Sequence, residues 1–133
     1  MVQAAPPRVV VVSENAETVD GLQSYLVGVG IDAQSAGNLA AATTGLPERT
    51  TAVVCFPDGF NSDDVLGHIR ALHSKRPRLL LLLITRDVRR FSAALASNQP
   101  EPPVLVLPKP AFGWTIVDAI RLHAHALATM SAK

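Results

Sequence analysis

The chain has 133 residues, 48% of them apolar and 17% charged, which excludes a disordered chain and fits one compact domain. Its formal net charge of +1 excludes the strong positive field that would argue for nucleic acid or an anionic membrane as the main partner. A single cysteine, Cys55, excludes an internal disulfide framework and fits a reducing compartment.

Residues 1–7 carry neither the basic start nor the long apolar run of a secretory signal, and they read as a loose leader. Residues 8–12 form a β-branched run, the pattern of a strand buried on both faces. Residues 13–16 supply helix-starting side chains. Val19, Leu22, Leu26 and Val29 then recur at helical spacing, predicting a helix over 17–28 that Gly28 and Gly30 end. A weaker strand is expected over 31–36, and Asn38 caps a short alanine-rich helix over 39–45. The third strand is read at 51–56. Pro57-Asp58-Gly59 is turn chemistry, and Asn61 or Ser62 starts a helix with Val65, Ile69 and Leu72 inward, closed by Pro77.

The most hydrophobic strand is expected over 79–85. At this length it is far short of the roughly 20 residues a membrane helix needs. Asp87 starts a fourth helix over 88–97, and a proline-rich connection at 100–103 leads to a strand over 104–107. The last helix is expected over 113–129 with Ile116, Ile120 and Leu127 inward, leaving a frayed end at 130–133. These are five βα units, which predict an α/β domain over 8–129: a doubly wound five-stranded parallel sheet with helices on both faces. The flavodoxin-like strand order 2-1-3-4-5 suits this length.

Four features carry a more specific resemblance. Ser13-Glu14 follows the first strand, Thr85 ends the fourth, Lys109-Pro110 follows the fifth, and Leu26, Gly30 and Ile31 space the first helix-to-strand turn. In this order, over about 8–127, the chain resembles the receiver domain of bacterial response regulators, in a degenerate pseudo-receiver form. The resemblance implies that Ser13-Glu14 stands at an acidic pair that holds a divalent cation. It implies that Thr85 and Lys109 are placed to contact a phosphoryl group, and that the Lys109–Pro110 bond is cis, an isomer found in about 5% of folded X-Pro bonds.

The departures from that family define the functional expectation. Phe56 stands where the phosphoryl-accepting carboxylate belongs, or Val54 if the loop aligns shorter. Ser13 replaces one metal ligand and leaves Glu14, a poor donor set for a magnesium ion. Arg86 replaces a small residue and is positioned to cover the site and pair with Glu14 or Asp58. Val106 stands where many receivers carry a switching aromatic. Asp58 has two readings, a substitute acceptor or a turn residue before Gly59. The turn reading is preferred, because Pro57 and the offset from the strand end shift the carboxylate away from the site. Lys109 is read as a partner of Glu14 or Asp58, against a solvated loop lysine. Thr85 is expected to bond a neighbouring backbone group, and Cys55 to be a buried filler.

The four histidines, His68, His73, His123 and His125, do not make a metal set by spacing. No metal and no cofactor is therefore expected. Arg86, Arg89, Arg90, Phe91 and Trp114 form a candidate interaction surface, against a solvated helix face. The expected function is a stand-alone, non-enzymatic pseudo-receiver that binds a protein partner in trans without phosphorylation, in bacterial signal transduction in the cytoplasm. A homodimer through helix four, strand five and helix five is a further possibility that the resemblance implies. The alternatives are a phosphoacceptor using Asp58 with Glu14 and Lys109, and an anion or small-ligand sensor at the strand ends near Arg86 and Lys109.

Overall fold

A computed structural model of the protein describes residues 7–47, 49–96, 104–109 and 111–131. Residues 1–6, the connection at 97–103 and Pro110 with its peptide bond lie outside the described residues. The strands are β1 (Arg8–Val12), β2 (Asp32–Ala36), β3 (Thr50–Cys55), β4 (Leu80–Thr85) and β5 (Val104–Pro108). The helices are α1 (Ala16–Gly28), α2 (Leu39–Gly45), α3 (Ser62–Lys75), α4 (Val88–Ala96) and α5 (Gly113–Ser131). A single 3-10 turn, Pro57–Gly59, follows β3. All neighbouring strands pair parallel in the order β2-β1-β3-β4-β5, the order expected from five βα units.

Alternation along each strand divides the core between the two faces of the sheet. Val10, Val12, Val53, Cys55, Leu81 and Leu83 face α2, α3 and α4. Val9, Val11, Ala52, Val54, Leu82 and Ile84 face α1 and α5. β4 is buried at all six positions, whereas β2, at one edge, buries only Ala33 fully. This is why the β2 segment reads weakly in the sequence. Asn15, Asn38 and Asn61 each cap a helix by accepting backbone N–H groups with the side-chain oxygen. Of the two expected caps for α3, Asn61 takes the role and Ser62 is the first helical residue. Pro7, expected in a loose leader, is tied in through its carbonyl, which accepts the Asp32 N–H at 3.0 Å.

α1 ends in a tight turn. Gly30 N–H donates to the Val27 carbonyl and Ile31 N–H to the Leu26 carbonyl, with Gly30 at φ +89°. This is the left-handed closing geometry that favours glycine. A β-carbon at Gly30 meets no neighbour, so the penalty for a side chain there is purely backbone strain. Gly30→Ala is expected to destabilise the fold by about 1–2 kcal/mol. Gly28→Ala, inside the helix and equally unobstructed, is expected to stabilise it by up to about 1 kcal/mol. Urea unfolding of both variants checks the opposite signs.

Candidate functional site

Pro110 apart, which lies outside the described residues, Ser13, Glu14, Phe56, Asp58, Thr85 and Lys109 lie at or just beyond the carboxyl ends of β1, β3, β4 and β5, because parallel strands deliver their exits to one edge. There a cleft of about 680 Å³ is lined by Ser13, Glu14, Asn15, Phe56, Asp58 and Lys109, together with Thr18, Gly59, Ile84, Arg86 and Ala111. Asn15, Thr18, Gly59, Ile84 and Ala111 were not among the expected site residues. Asn15 had a legible signal as a cap after a strand. Ala111 had none.

The centre of the site is Asp58, which corrects the expectation that it turns away. Pro57 begins the 3-10 turn, and the turn closes with the Phe60 N–H donating to the Pro57 carbonyl. The short turn folds Asp58 back over the strand ends instead of carrying it outward. Its Oδ1 accepts the Thr85 hydroxyl at 2.5 Å, and its Oδ2 accepts the Arg86 backbone N–H at 3.0 Å. The same Oδ2 lies 3.3 Å from Lys109 Nζ. Partial burial pushes the Asp58 carboxyl pKa up, but the hydrogen bonds from Thr85, Arg86 and Lys109 and the lysine charge outweigh it. The net effect holds Asp58 below the usual carboxylate range.

Thr85 is fully buried and works twice. It accepts the Asp87 N–H at 3.0 Å, the local backbone bond expected of a strand-end threonine, and donates to Asp58 as well. Its carbonyl accepts the Lys109 N–H at 3.2 Å, tying the exits of β4 and β5 together. Lys109 therefore pairs with Asp58, one of its two expected partners. Its ammonium also stands 5.9 Å from the Phe56 ring centroid, within the range of a cation–π attraction. Phe56, just after β3, is half-buried and packs on the α1–α5 side of the core. Val54, the other position considered for the acceptor, is fully buried in that same core.

Arg86 lines the cleft and contributes its backbone N–H to Asp58, but among the described residues its side chain makes no ion pair with Glu14 or Asp58, contrary to expectation. Ser13 is buried, and its hydroxyl accepts the Asn15 N–H at 3.1 Å, which shapes the entry to α1. Glu14 is exposed, with its carboxyl group over Gly59, where a β-carbon would overlap it. Among the described residues, no group of three or more His, Cys, Asp and Glu side chains gathers at a metal-holding distance. Cys55, in the strand leading to the site, is buried. Burial, followed by the nearby Asp58 charge, pushes its thiol pKa up to about 12.

The expected interaction surface divides. Phe91 is 3% exposed and belongs to the core beside β3, β4 and α3. Its inclusion was an error that the helix period could have caught, because Val88 and Phe91 lie three apart on the inward stripe. Arg86, Arg89 and Arg90 are exposed. Trp114 is 59% exposed and stacks on Phe112, ring centroids 4.4 Å apart at an interplanar angle of 3°. Val106 is half-buried against the α2–α4 side of the core.

Among the described residues no helix is long and apolar enough to cross a membrane. No protein-family model matches the chain, and no curated protein matches it in sequence. Solved structures do. The signal receiver domain of an HD domain-containing protein from Pseudomonas fluorescens Pf-5 superposes with a TM-score of 0.77 at 18% identity, over 100% of this chain and 97% of that one. A response regulator receiver protein from Pseudomonas putida gives 0.70 at 21% identity, over 90% and 98%. A putative pilus assembly-related protein from Burkholderia pseudomallei K96243 gives 0.70 at 22% identity, over 94% of each chain. Identities this low establish a shared architecture: this chain has the fold of the response-regulator receiver domain.

Proposed function

We propose that this chain is a non-enzymatic, receiver-fold signalling module of the bacterial cytoplasm, one that acts by docking on a protein partner in trans and needs no phosphoryl transfer. One observation carries the reading. The residue that follows β3 is Phe56, and the carboxylate two residues on, Asp58, already has both oxygens engaged by Thr85, Arg86 and Lys109. A phosphoryl acceptor needs a carboxylate oxygen open to attack and a divalent cation beside it, and among the described residues Glu14 is the one further carboxylate lining the cleft. The docking face in this proposal combines the exposed arginines Arg86, Arg89 and Arg90 with Leu105 on β5 and with Trp114 and Leu122 on α5. Trp114 and Leu122 lie eight residues apart, on one side of the helix. Self-association through the same face is the simplest form such docking takes.

A second reading has one observation in its favour: Asp58 faces Lys109 from within the cleft, so it is placed as a substitute acceptor. Incubation with acetyl phosphate, or with beryllium fluoride, in the presence of magnesium separates the two. The expected result by intact mass and by NMR is no phosphoryl incorporation and no magnesium-dependent change. Stoichiometric incorporation that Asp58→Asn abolishes would overturn the proposal in favour of the second reading.

A further inference from the structure

The charges of this molecule are sorted by end, which a net charge of +1 conceals. Arg8 opens β1, Arg49 precedes β3 and Arg78 precedes β4. The three stand side by side, because Arg8 is in register with Thr50, and Ala52 with Leu80. Helices that run back against the strands bring three more cations to the same end. Lys75 ends α3, and Arg76 caps it while donating to the carbonyls of Pro47 at 2.7 Å and Leu46 at 2.9 Å, in the segment entering β3. Arg121 on α5 donates to the Val29 carbonyl at the end of α1, at 2.7 Å. Among the described residues Asp32 is the one carboxylate placed at this end, and it pairs with Arg8 at 3.2 Å. Cations at helix carboxyl ends answer the helix dipole, but each end carries only about half a negative charge. That accounts for Lys75, Arg76 and Arg121. It does not account for Arg8, Arg49 and Arg78, which stand at strand starts.

The opposite end carries the complement. Glu14, Glu17 and Asp20 follow β1, and Asp63 and Asp64 start α3 after β3, all of them exposed. The cations of that edge, Arg86, Arg89, Arg90 and Lys109, follow β4 and β5 instead, and Lys109 is taken by Asp58. The two sets cannot neutralise each other within one copy. Along the 14-residue α3, Asp63 and Lys75 are about 18 Å apart, beyond the screening length of about 8 Å at physiological salt.

We propose that the chain associates with itself head to tail, the arginine-rich end at the starts of β1, β3 and β4 seating on the acidic rim that follows β1 and β3 of a second copy. A second copy is the occupant because the molecule itself supplies the matching carboxylates. Its near-zero net charge also leaves little mutual repulsion to oppose the approach. The contact joins unlike surfaces, so it extends into rows or rings and does not stop at a two-fold dimer. It uses different residues from the docking face proposed above and does not depend on whether Asp58 takes a phosphoryl group.

Sedimentation velocity over a concentration series tests it, at about 0.01 M and about 0.3 M salt, where screening lengths are about 30 Å and under 10 Å. The wild type is expected to associate at low salt and at least about tenfold more weakly at high salt. Arg49→Glu with Arg78→Glu leaves both ends acidic, and Glu17→Lys with Asp63→Lys leaves both ends basic. Each double variant is expected to be monomeric alone, and an equimolar mixture of the two is expected to associate. Rescue on mixing is an outcome that a shared polyanion cannot produce. A wild type that stays monomeric, association that salt does not weaken, or no rescue between two folded variants would overturn the proposal. A monomeric wild type that binds phosphatidylserine vesicles or duplex DNA would overturn the second copy as the occupant.

If either variant does not fold, the wild type answers alone. Equal amounts of ¹⁴N- and ¹⁵N-labelled protein are treated with a zero-length carbodiimide at low salt and digested. Lys75 is expected to be joined across isotopes to Glu17, Asp20, Asp63 or Asp64. Mixed-isotope links that involve only Lys109, or none at all, would count against the contact.

Discussion

Leu82→Ala is expected to destabilise the fold by about 2–5 kcal/mol, the range for emptying a fully packed leucine position. Leu82 is 0% exposed at the middle of β4 and faces the side covered by α1 and α5. Its register partners are Val54 on β3 and Leu105 on β5. The cavity has little room to collapse. The hydrogen-bonded ladders on both flanks hold the backbone, and much of the surrounding wall is β-branched: Val11, Val54, Ile84, Ile116 and Ile120. Because a domain of this size is stable by only about 5–15 kcal/mol, the loss is a large share of the total. Leu122→Ala is the matched control. Leu122 is 72% exposed, and the change there is expected to stay within about 0.5 kcal/mol. Urea midpoints for the two variants check the contrast. A shift at Leu82 no larger than at Leu122 would mean that β4 is not central.

The architecture was legible because continuous β-branched or leucine runs can be buried on both faces in only one type of sheet. Residues 8–12, 51–55 and 80–84 are such runs, and each became an interior strand. Asn38 and Asn61 marked helix starts, and Asn15 lay in the helix-starting segment 13–16, since a side-chain oxygen at that position satisfies N–H groups that the helix itself leaves open. The site was legible only as an order of residues along the chain. Thr85, Glu14 and Lys109 arrive at one edge because parallel strands do. Asp58 was misjudged because its direction depends on a three-residue 3-10 turn, and neither the strand period nor the helix period extends through such a turn. Proline and aspartate there are equally good turn formers whichever way the carboxylate finally points. Phe91 was misjudged for a different reason. Its neighbours Arg89 and Arg90 made the segment look like a surface, although on a helix adjacent residues diverge by 100°.

Thr85→Val is expected to cost about 1–2 kcal/mol near neutral pH and to shift the acid stability of the domain. The two side chains are nearly isosteric, so the β4 backbone and the packing around position 85 stay in place. What is lost is a hydroxyl that donates to Asp58 and accepts from Asp87. A hydrogen bond to a charged group contributes about 1.5–3 kcal/mol. The lower part of that range applies, since the Asp58 side chain is 28% exposed and recruits water in part. The pH dependence follows from the depressed Asp58 pKa. A carboxyl group that is more acidic when folded contributes stability that is fully present above its unfolded value of about 3.9 and disappears as pH falls through the folded value. Removing the Thr85 donor raises the folded value toward the unfolded one, so this contribution shrinks in the variant. The gap between wild type and Thr85→Val should therefore be largest above about pH 5 and close toward strong acid. Urea unfolding across pH measures it. A gap that stays constant down to acid would show that the threonine hydroxyl serves only the Asp87 backbone, and that Asp58 does not depend on it.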